Sequence, residues 1–198
     1  MLEINTPTLE DSEALLEFEL ENRAYFEGWI NAREDSYYNL SSVRHAIEMA
    51  QGDASTDKAY QFLAKRNGVI VGRVNLTGVT RPYFNKASLG YRIGERFGGN
   101  GYATQAVELL LEKARTDLDL WRIEAMVRPE NQGSARVLLR NGFAKYGTAR
   151  RSMKLRGAWY DLDHFEHHLA SYANDASPCR ADPTFPLVSP GIDESGMP

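Results

Sequence analysis

The 198-residue chain is long enough for one domain with a buried core, and its 42% hydrophobic and 25% charged residues are ordinary for a globular protein. No stretch approaches the roughly 20 apolar residues that span a bilayer, and residues 1–5 lack the basic and apolar regions of a signal peptide. The single cysteine, Cys179, excludes an intrachain disulfide and a thiolate metal cluster, and the net charge of −4 argues against indiscriminate binding to polyanions. The expectation is a cytoplasmic protein that meets neither membrane nor nucleic acid directly.

Thr8 followed by Asp11 reads as a helix start, with Leu9, Leu15, Leu16 and Leu20 as its apolar positions. Ser41 or Ser42 is placed to cap a second helix through Val43, Ala46, Ile47 and Ala50. Tyr60, Phe62 and Ala64 alternate with more polar neighbours, Asn67-Gly68 follows, and residues 69–76 are rich in β-branched side chains. Together these predict a hairpin turned by Asn-Gly. A third strand is expected over 87–93, after the loop around Arg81, Pro82 and Tyr83. Ala103, Val107, Leu110, Leu111, Ala114 and Leu118 then fall at helical spacing. Residues 121–127 read as a strand, 134–140 as a short helix closed by Asn141-Gly142, and 143–150 and 159–169 as two final strands. This alternation predicts an α/β domain on one central sheet. From about residue 174 the composition changes: five of the eight prolines lie there, and Asp175, Asp182, Asp193 and Glu194 face only Arg180. The expected division is a folded domain over 1–173 and a Pro-rich, disordered or loosely attached tail over 174–198.

The strand over 87–93 runs into a glycine-rich loop and then the strong helix. Gly98, Gly99 and Gly101 allow backbone N–H groups to turn toward one point, and the helix start adds its unpaired N–H groups and positive dipole end. That combination suits a diphosphate. The Gly-Lys-Ser/Thr ending of a P-loop is missing, and a dinucleotide fingerprint read from Gly99 would put Thr104 where its last glycine belongs. A flexible surface loop that holds nothing is the plainer alternative.

Four segments in order carry a resemblance: Glu21-Asn22-Arg23 with Trp29; Leu89-Gly90-Tyr91-Arg92-Ile93; Gly99-Asn100-Gly101-Tyr102-Ala103-Thr104; and Arg122-Ile123-Glu124-Ala125 leading to Asn131, Ser134 and Gly142-Phe143. Over about residues 1–170 the chain resembles the GNAT superfamily of acetyltransferases, and closely its ribosomal-protein alanine N-acetyltransferase branch (the RimJ/RimL type). The resemblance implies a GNAT-type fold: a single central mixed, mostly antiparallel sheet, splayed between its fourth and fifth strands, with helices on both faces. It also implies acetyl-CoA as co-substrate and no metal. Gly98, Gly99, Asn100, Gly101, Tyr102, Ala103 and Thr104 would bind the diphosphate. Tyr91, Arg92 and Ile93 would pair with the pantetheine arm through backbone groups. Asn131 would hydrogen-bond that arm, and Ser134 would sit beside the sulfur. Asn22, Trp29 and Tyr83 would lie toward the acceptor. Two departures stand out. Gly98 occupies a position where the family often has Gln or Arg, with Arg96 as a candidate substitute. Leu138 stands where many members have a tyrosine acid, so the thiolate proton would come from Ser134 or water.

Amide formation requires a neutral amine, a stabilised oxyanion and a released thiolate. Met153 stands where RimL-like relatives carry a glutamate base, which leaves Glu124 and Asp161 as candidates. The plainer readings are a buried carboxylate paired with arginine for Glu124 and a strand-end or salt-bridge role for Asp161. With a pKa near 7.8, roughly 14% of an α-amine is neutral at pH 7, against about 0.04% of a lysine. A chain without an obvious strong base therefore suits an N-terminal α-amine. Acetylation of a small amine, such as an antibiotic or amino-acid conjugate, is the rival within the same chemistry, and a non-catalytic CoA-binding sensor is the rival of another class. His164 and His168 share one strand face and His167 the other, with no cysteine or acid pair to complete a metal cage. The basic run from Arg136 to Arg156 reads as a solvated face, with contact of some members to the cofactor 3′-phosphate or an acidic acceptor as the sharper alternative, and the chain is expected as a monomer or homodimer.

Overall fold

A computed structural model describes residues 1–169, so the expected tail lies outside the described residues. It opens with a strand that the sequence pattern did not predict, β1 (Leu2–Asn5). Only Leu2 and Ile4 alternate there, which is too short to register as a pattern. The strand exists because the edge of β2 offers it a pairing partner.

The first helical stretch is two helices, α1 (Ser12–Glu21) and α2 (Arg23–Glu27), broken at Asn22. Its buried face also differs from the expected leucine set. Leu15, Phe18, Glu19 and Asn22 are buried at intervals of three and four, whereas Leu9 and Leu20 are exposed. The next helix is α3 (Leu40–Ser55), and its cap is Asn39 rather than either serine: the Asn39 side-chain oxygen accepts the N–H of Ser42. Ser42 instead gives its hydroxyl to Ser36 O.

The predicted hairpin is present as β2 (Tyr60–Arg66) and β3 (Val69–Thr80), joined by Asn67 and Gly68 with φ of 50° and 79°. Both are left-handed, as a two-residue turn between twisted strands requires. Then come β4 (Lys86–Ile93), α4 (Tyr102–Thr116), β5 (Arg122–Val127), α5 (Gln132–Arg140), β6 (Ala144–Leu155) and β7 (Ala158–His168). The last hairpin is longer than expected, because β6 continues past Arg150 through irregular pairing to a turn at Arg156-Gly157.

All seven strands form one sheet in the order β1-β2-β3-β4-β5-β7-β6. Every neighbouring pair is antiparallel except β4 and β5. A parallel pair needs a crossover, and α4 provides it. α4 packs Ala106, Val107, Leu110, Leu111 and Ala114 onto one sheet face, against Val74, Leu76, Ile123, Ala125 and Phe165, while α5 adds Leu138. The opposite face is covered by α1 and α3 through Leu15, Phe18, Val43 and Ile47, but this second cluster reaches only Leu63 and Ile70 of the sheet. The β5–β7 part of that face is thereby left for other purposes. Leu110 is 0% exposed at the centre of the α4 contact. Leu110→Ala is expected to cost about 2–5 kcal/mol of stability in chemical denaturation.

Candidate functional site

The loop before α4 is shaped by two left-handed glycines, Gly99 and Gly101, each with φ of 76°. A side chain at either would strain the turn. The Asn100 amide ties the loop from within, donating to Phe97 O (3.2 Å) and Gly98 O (3.0 Å). The first backbone bond of α4 runs from Gln105 N to Gly101 O. The preceding N–H groups, at Tyr102, Ala103 and Thr104, form the open first turn, where an anion is favoured by hydrogen bonding and by the helix dipole. These residues fit a diphosphate. Arg96, considered as a further phosphate contact, is paired with Glu21 (3.2 Å) and stacked on Phe97.

β4 and β5 pair only from Lys86–Arg122 to Leu89–Ala125. Beyond that rung β4 continues to Ile93 while still paired with β3, and β5 continues to Val127 while paired with β7. The two strands diverge, and among the described residues no strand pairs with 90–93 on the β5 side. The gap therefore borders the free edge of β4 over Tyr91, Arg92 and Ile93, where alternate main-chain groups face the opening, the arrangement needed to hold an amide-bearing arm.

On the α5 side of this gap, Asn131 caps the helix, its side-chain oxygen accepting Ser134 N (3.1 Å). The Tyr91 hydroxyl reaches across from β4, lying 2.7 Å from Ser134 Oγ and 3.0 Å from Ser134 O. Burial pushes the Tyr91 phenol up to about 12, against a smaller opposing effect of the Ser134 hydrogen bond. It therefore stays protonated at neutral pH. Leu138 is fully buried in the core.

The other face of the splayed strands carries polar side chains. Lys86 (2.9 Å) and Arg122 (3.0 Å) both hold Glu124, and Arg122 also reaches Glu166 (2.7 Å), giving an ion-pair ladder across β4, β5 and β7. Asp161 accepts the backbone N–H of Arg151 (2.8 Å), a left-handed residue in the irregular part of β6, so its carboxylate pins that bulge. At the end of the cleft Arg128 lies 3.9 Å from the Tyr160 ring centre and 5.4 Å from that of Trp29. It ties the segment after α2 to β7. Trp29 is thus brought to the cleft rim. Tyr83 is not: it is 95% exposed in the β3–β4 loop, at the opposite end of β4 from the gap.

Asn22 also differs from the expected acceptor contact. Its amide nitrogen donates to Phe18 O (2.8 Å) and its oxygen accepts Glu95 N (2.8 Å), with the residue buried. It joins the break between α1 and α2 to the segment just before the glycine loop. The histidines are likewise engaged locally: His167 donates to Gly142 O (3.1 Å), His164 faces Tyr146, and His168 packs on Trp121.

Residues 1–144 match the family profile described as an acetyltransferase (GNAT) domain. The chain belongs to the GNAT acetyltransferase family. It is 37% identical over 153 residues to the probable N-acetyltransferase YjcK of Bacillus subtilis, covering 76% of this chain and 84% of that protein. It is 28% identical over 153 residues to the Escherichia coli [ribosomal protein uS5]-alanine N-acetyltransferase, covering 76% and 79%. Among solved structures, Mycobacterium smegmatis RimJ in complex with CoA-disulfide superposes with a TM-score of 0.79 at 26% identity, covering 84% of this chain and 81% of that one. The chain is an acetyl-CoA-dependent N-acetyltransferase with the GNAT fold, and acetyl-CoA is its co-substrate.

Within this GNAT domain one buried cluster escaped the sequence reading. Glu19, 1% exposed, faces Arg73 (2.5 Å), Arg92 (3.5 Å) and Arg33 (3.7 Å). Burial alone would raise its pKa, but Arg92, Arg73 and Arg33 together hold it below the ordinary value. The available signal was an acid at the fourth position after Leu15, on the apolar stripe of α1. The Tyr91–Ser134 contact was equally hidden, since 43 residues separate the partners.

Two outcomes follow for the loop. Asn22→Ala is expected to cost about 1–3 kcal/mol in denaturation and to weaken CoA binding in calorimetry, because Glu95 N loses its buried acceptor. Gly101→Asp sets a carboxylate at the diphosphate position, in a conformation that Asp tolerates better than most residues. Its CoA affinity should fall at least about tenfold, with a stability loss on the order of 1 kcal/mol from the left-handed backbone.

Proposed function

We propose that this GNAT enzyme transfers acetyl to the N-terminal α-amine of a protein. The observation that carries the reading is that both candidate bases are committed to the fold. Glu124 is held by Lys86 and Arg122, and Asp161 by the Arg151 amide. An acceptor with a substantial neutral fraction at pH 7 needs the least help from such a cleft, and an α-amine has it whereas a lysine does not. The similarity to the E. coli uS5-alanine enzyme supports the same acceptor class and a cytoplasmic setting.

In this reading the amides of Gly99 to Thr104 hold the diphosphate, and the free β4 edge over Tyr91 to Ile93 together with Asn131 orients the pantetheine arm. Acetyl-CoA, when bound, supplies the thioester carbonyl and the thiol leaving group. An N–H of the unpaired β4 segment serves as the oxyanion donor. Ser134 Oγ is the proton source beside the sulfur. The Tyr91 phenol, which keeps its proton, orients that hydroxyl from the other side of the gap. Tyr91 thus brings from β4 a phenol that α5 lacks at Leu138. The acceptor amine enters from the face bearing Trp29, Arg128 and Tyr160, where solvent takes its proton.

The test is a panel of peptides with a free N-terminus, the same peptides N-terminally blocked but carrying lysine, and small amines, with free-CoA release and product mass as readouts. Transfer confined to free N-termini is expected; preference for lysine or for small amines overturns the reading. Ser134→Ala should lower kcat about 100-fold while leaving the Kd for CoA within about threefold. Equal losses in both would remove Ser134 as the proton source.

A further inference from the structure

The Glu19 cluster holds more positive charge than its own carboxylate balances. Three guanidiniums face one acid, and Arg73 and Arg92 are direct cross-strand partners on β3 and β4, where like charges repel. Gln61 takes one further N–H, from Arg73 (2.6 Å). Arg33 Nη1 and Arg73 Nε are buried and make no hydrogen bond among the described residues. Aromatic faces absorb part of the charge, Phe26 under Arg92 at 5.1 Å and Tyr37 under Arg33 at 3.9 Å. Burial nevertheless pulls Arg92 down to about 10, with Glu19 opposing and the neighbouring arginines adding to the fall.

The position of the excess is informative. Arg92 lies on β4 three residues beyond Leu89, the last rung shared with β5, and its side chain is on the cleft face with Phe26 and Glu19. At about 3.3 Å per strand residue, that is about 10 Å from the start of the gap, the span of about three extended residues. Arg33 follows Trp29 on the segment at the cleft rim and is the most exposed of the three arginines, at 28%.

We propose that Arg33 and Arg92 receive a carboxylate of the acceptor, carried within about three residues of the amine that is acetylated. Charge-assisted bonds from guanidinium to carboxylate are the strong kind, and a desolvated pair discriminates sharply against a neutral isostere. The proposal makes the enzyme selective for an acidic side chain near a protein N-terminus. The terminal carboxylate of a very short acceptor presents the same chemistry. It rests on the N-terminal acceptor reading only in taking this face as the acceptor's side.

The test titrates CoA-loaded protein by calorimetry with hexapeptide amides bearing Asp or Asn at the second and third positions, and with a dipeptide bearing a free or an amidated C-terminus. The expected result is at least about tenfold tighter binding of the carboxylate form in one of these pairs. Arg33→Gln should reduce that preference to within about twofold while leaving the neutral peptide unchanged, and Arg92→Gln should abolish the preference as well. Arg33 lies outside helices and strands, so its variants keep the test open if the Arg92 variant fails to fold. Arg33→Glu should turn the preference toward a peptide with Lys at the same position. Equal binding of acidic and neutral forms, or a preference that survives Arg33→Gln, overturns the proposal. Acetyl transfer to the same peptides separates the two readings. Transfer without acidic preference sinks this inference alone, preference in binding without transfer sinks the acceptor reading alone, and no binding of any peptide sinks both.

Discussion

The constraint on which the rest depends is the short parallel pairing of β4 with β5. It lasts from Lys86 to Leu89 on one strand and from Arg122 to Ala125 on the other, and then fails. A parallel pair requires a crossover, so α4 must leave the end of β4 and cross the sheet, which places its open first turn beside the point where the strands part. One geometric requirement thus sets the open first turn of α4 beside the free edge of β4, the two features that the proposed coenzyme site uses. The cost of the unpaired backbone is borne by the rest of the sheet, since β4 stays bonded to β3 and β5 to β7 along the divergent stretch.

Two buried polar ties hold this opening in place. Asn22 couples the break between α1 and α2 to Glu95, immediately before the glycine loop, so the position of the loop depends on the first helices as well as on α4. Gly94 lies against the same side chain, and a Cβ there would stand 3.1 Å from the Asn22 oxygen and 3.0 Å from Phe18. Glu19 is the second tie. Its carboxylate anchors α1 to β3 and β4 through Arg73 and Arg92, and draws in Arg33 from the segment beyond α2. Removing one partner of such a set leaves several unbalanced charges in a region of low polarity, which is why buried ion clusters tolerate little change.

The two faces of the sheet divide the labour. One is closed by α4 and α5 into the main apolar core, and it carries Tyr91 and Ser134 at its edge. The other is closed only over its first strands, and the remainder presents the ladder of Lys86, Glu124, Arg122 and Glu166 with the Trp29–Arg128–Tyr160 stack. The Tyr91–Ser134 contact and the Trp29–Arg128–Tyr160 stack therefore lie on opposite sides of one gap. Both candidate bases have structural partners.

The sequence by itself determined the elements with strong local signals: the Asn67-Gly68 hairpin, the α4 stripe, the glycine loop and the strand before it. Each of these is dictated by spacing or backbone freedom within a dozen residues. It did not reveal β1, whose two alternating residues mean nothing until β2 lies beside them, nor the cap at Asn39, where three polar residues competed within one turn. It misjudged Asn22, whose polar side chain looked available because burial is a property of the packed fold. Only the tertiary structure decided that Tyr91 meets Ser134, that Glu19 gathers three arginines, and that Tyr83 lies at the far end of its strand. These facts depend on strand order and on which face each side chain takes, and both are set by long-range pairing that no local pattern encodes.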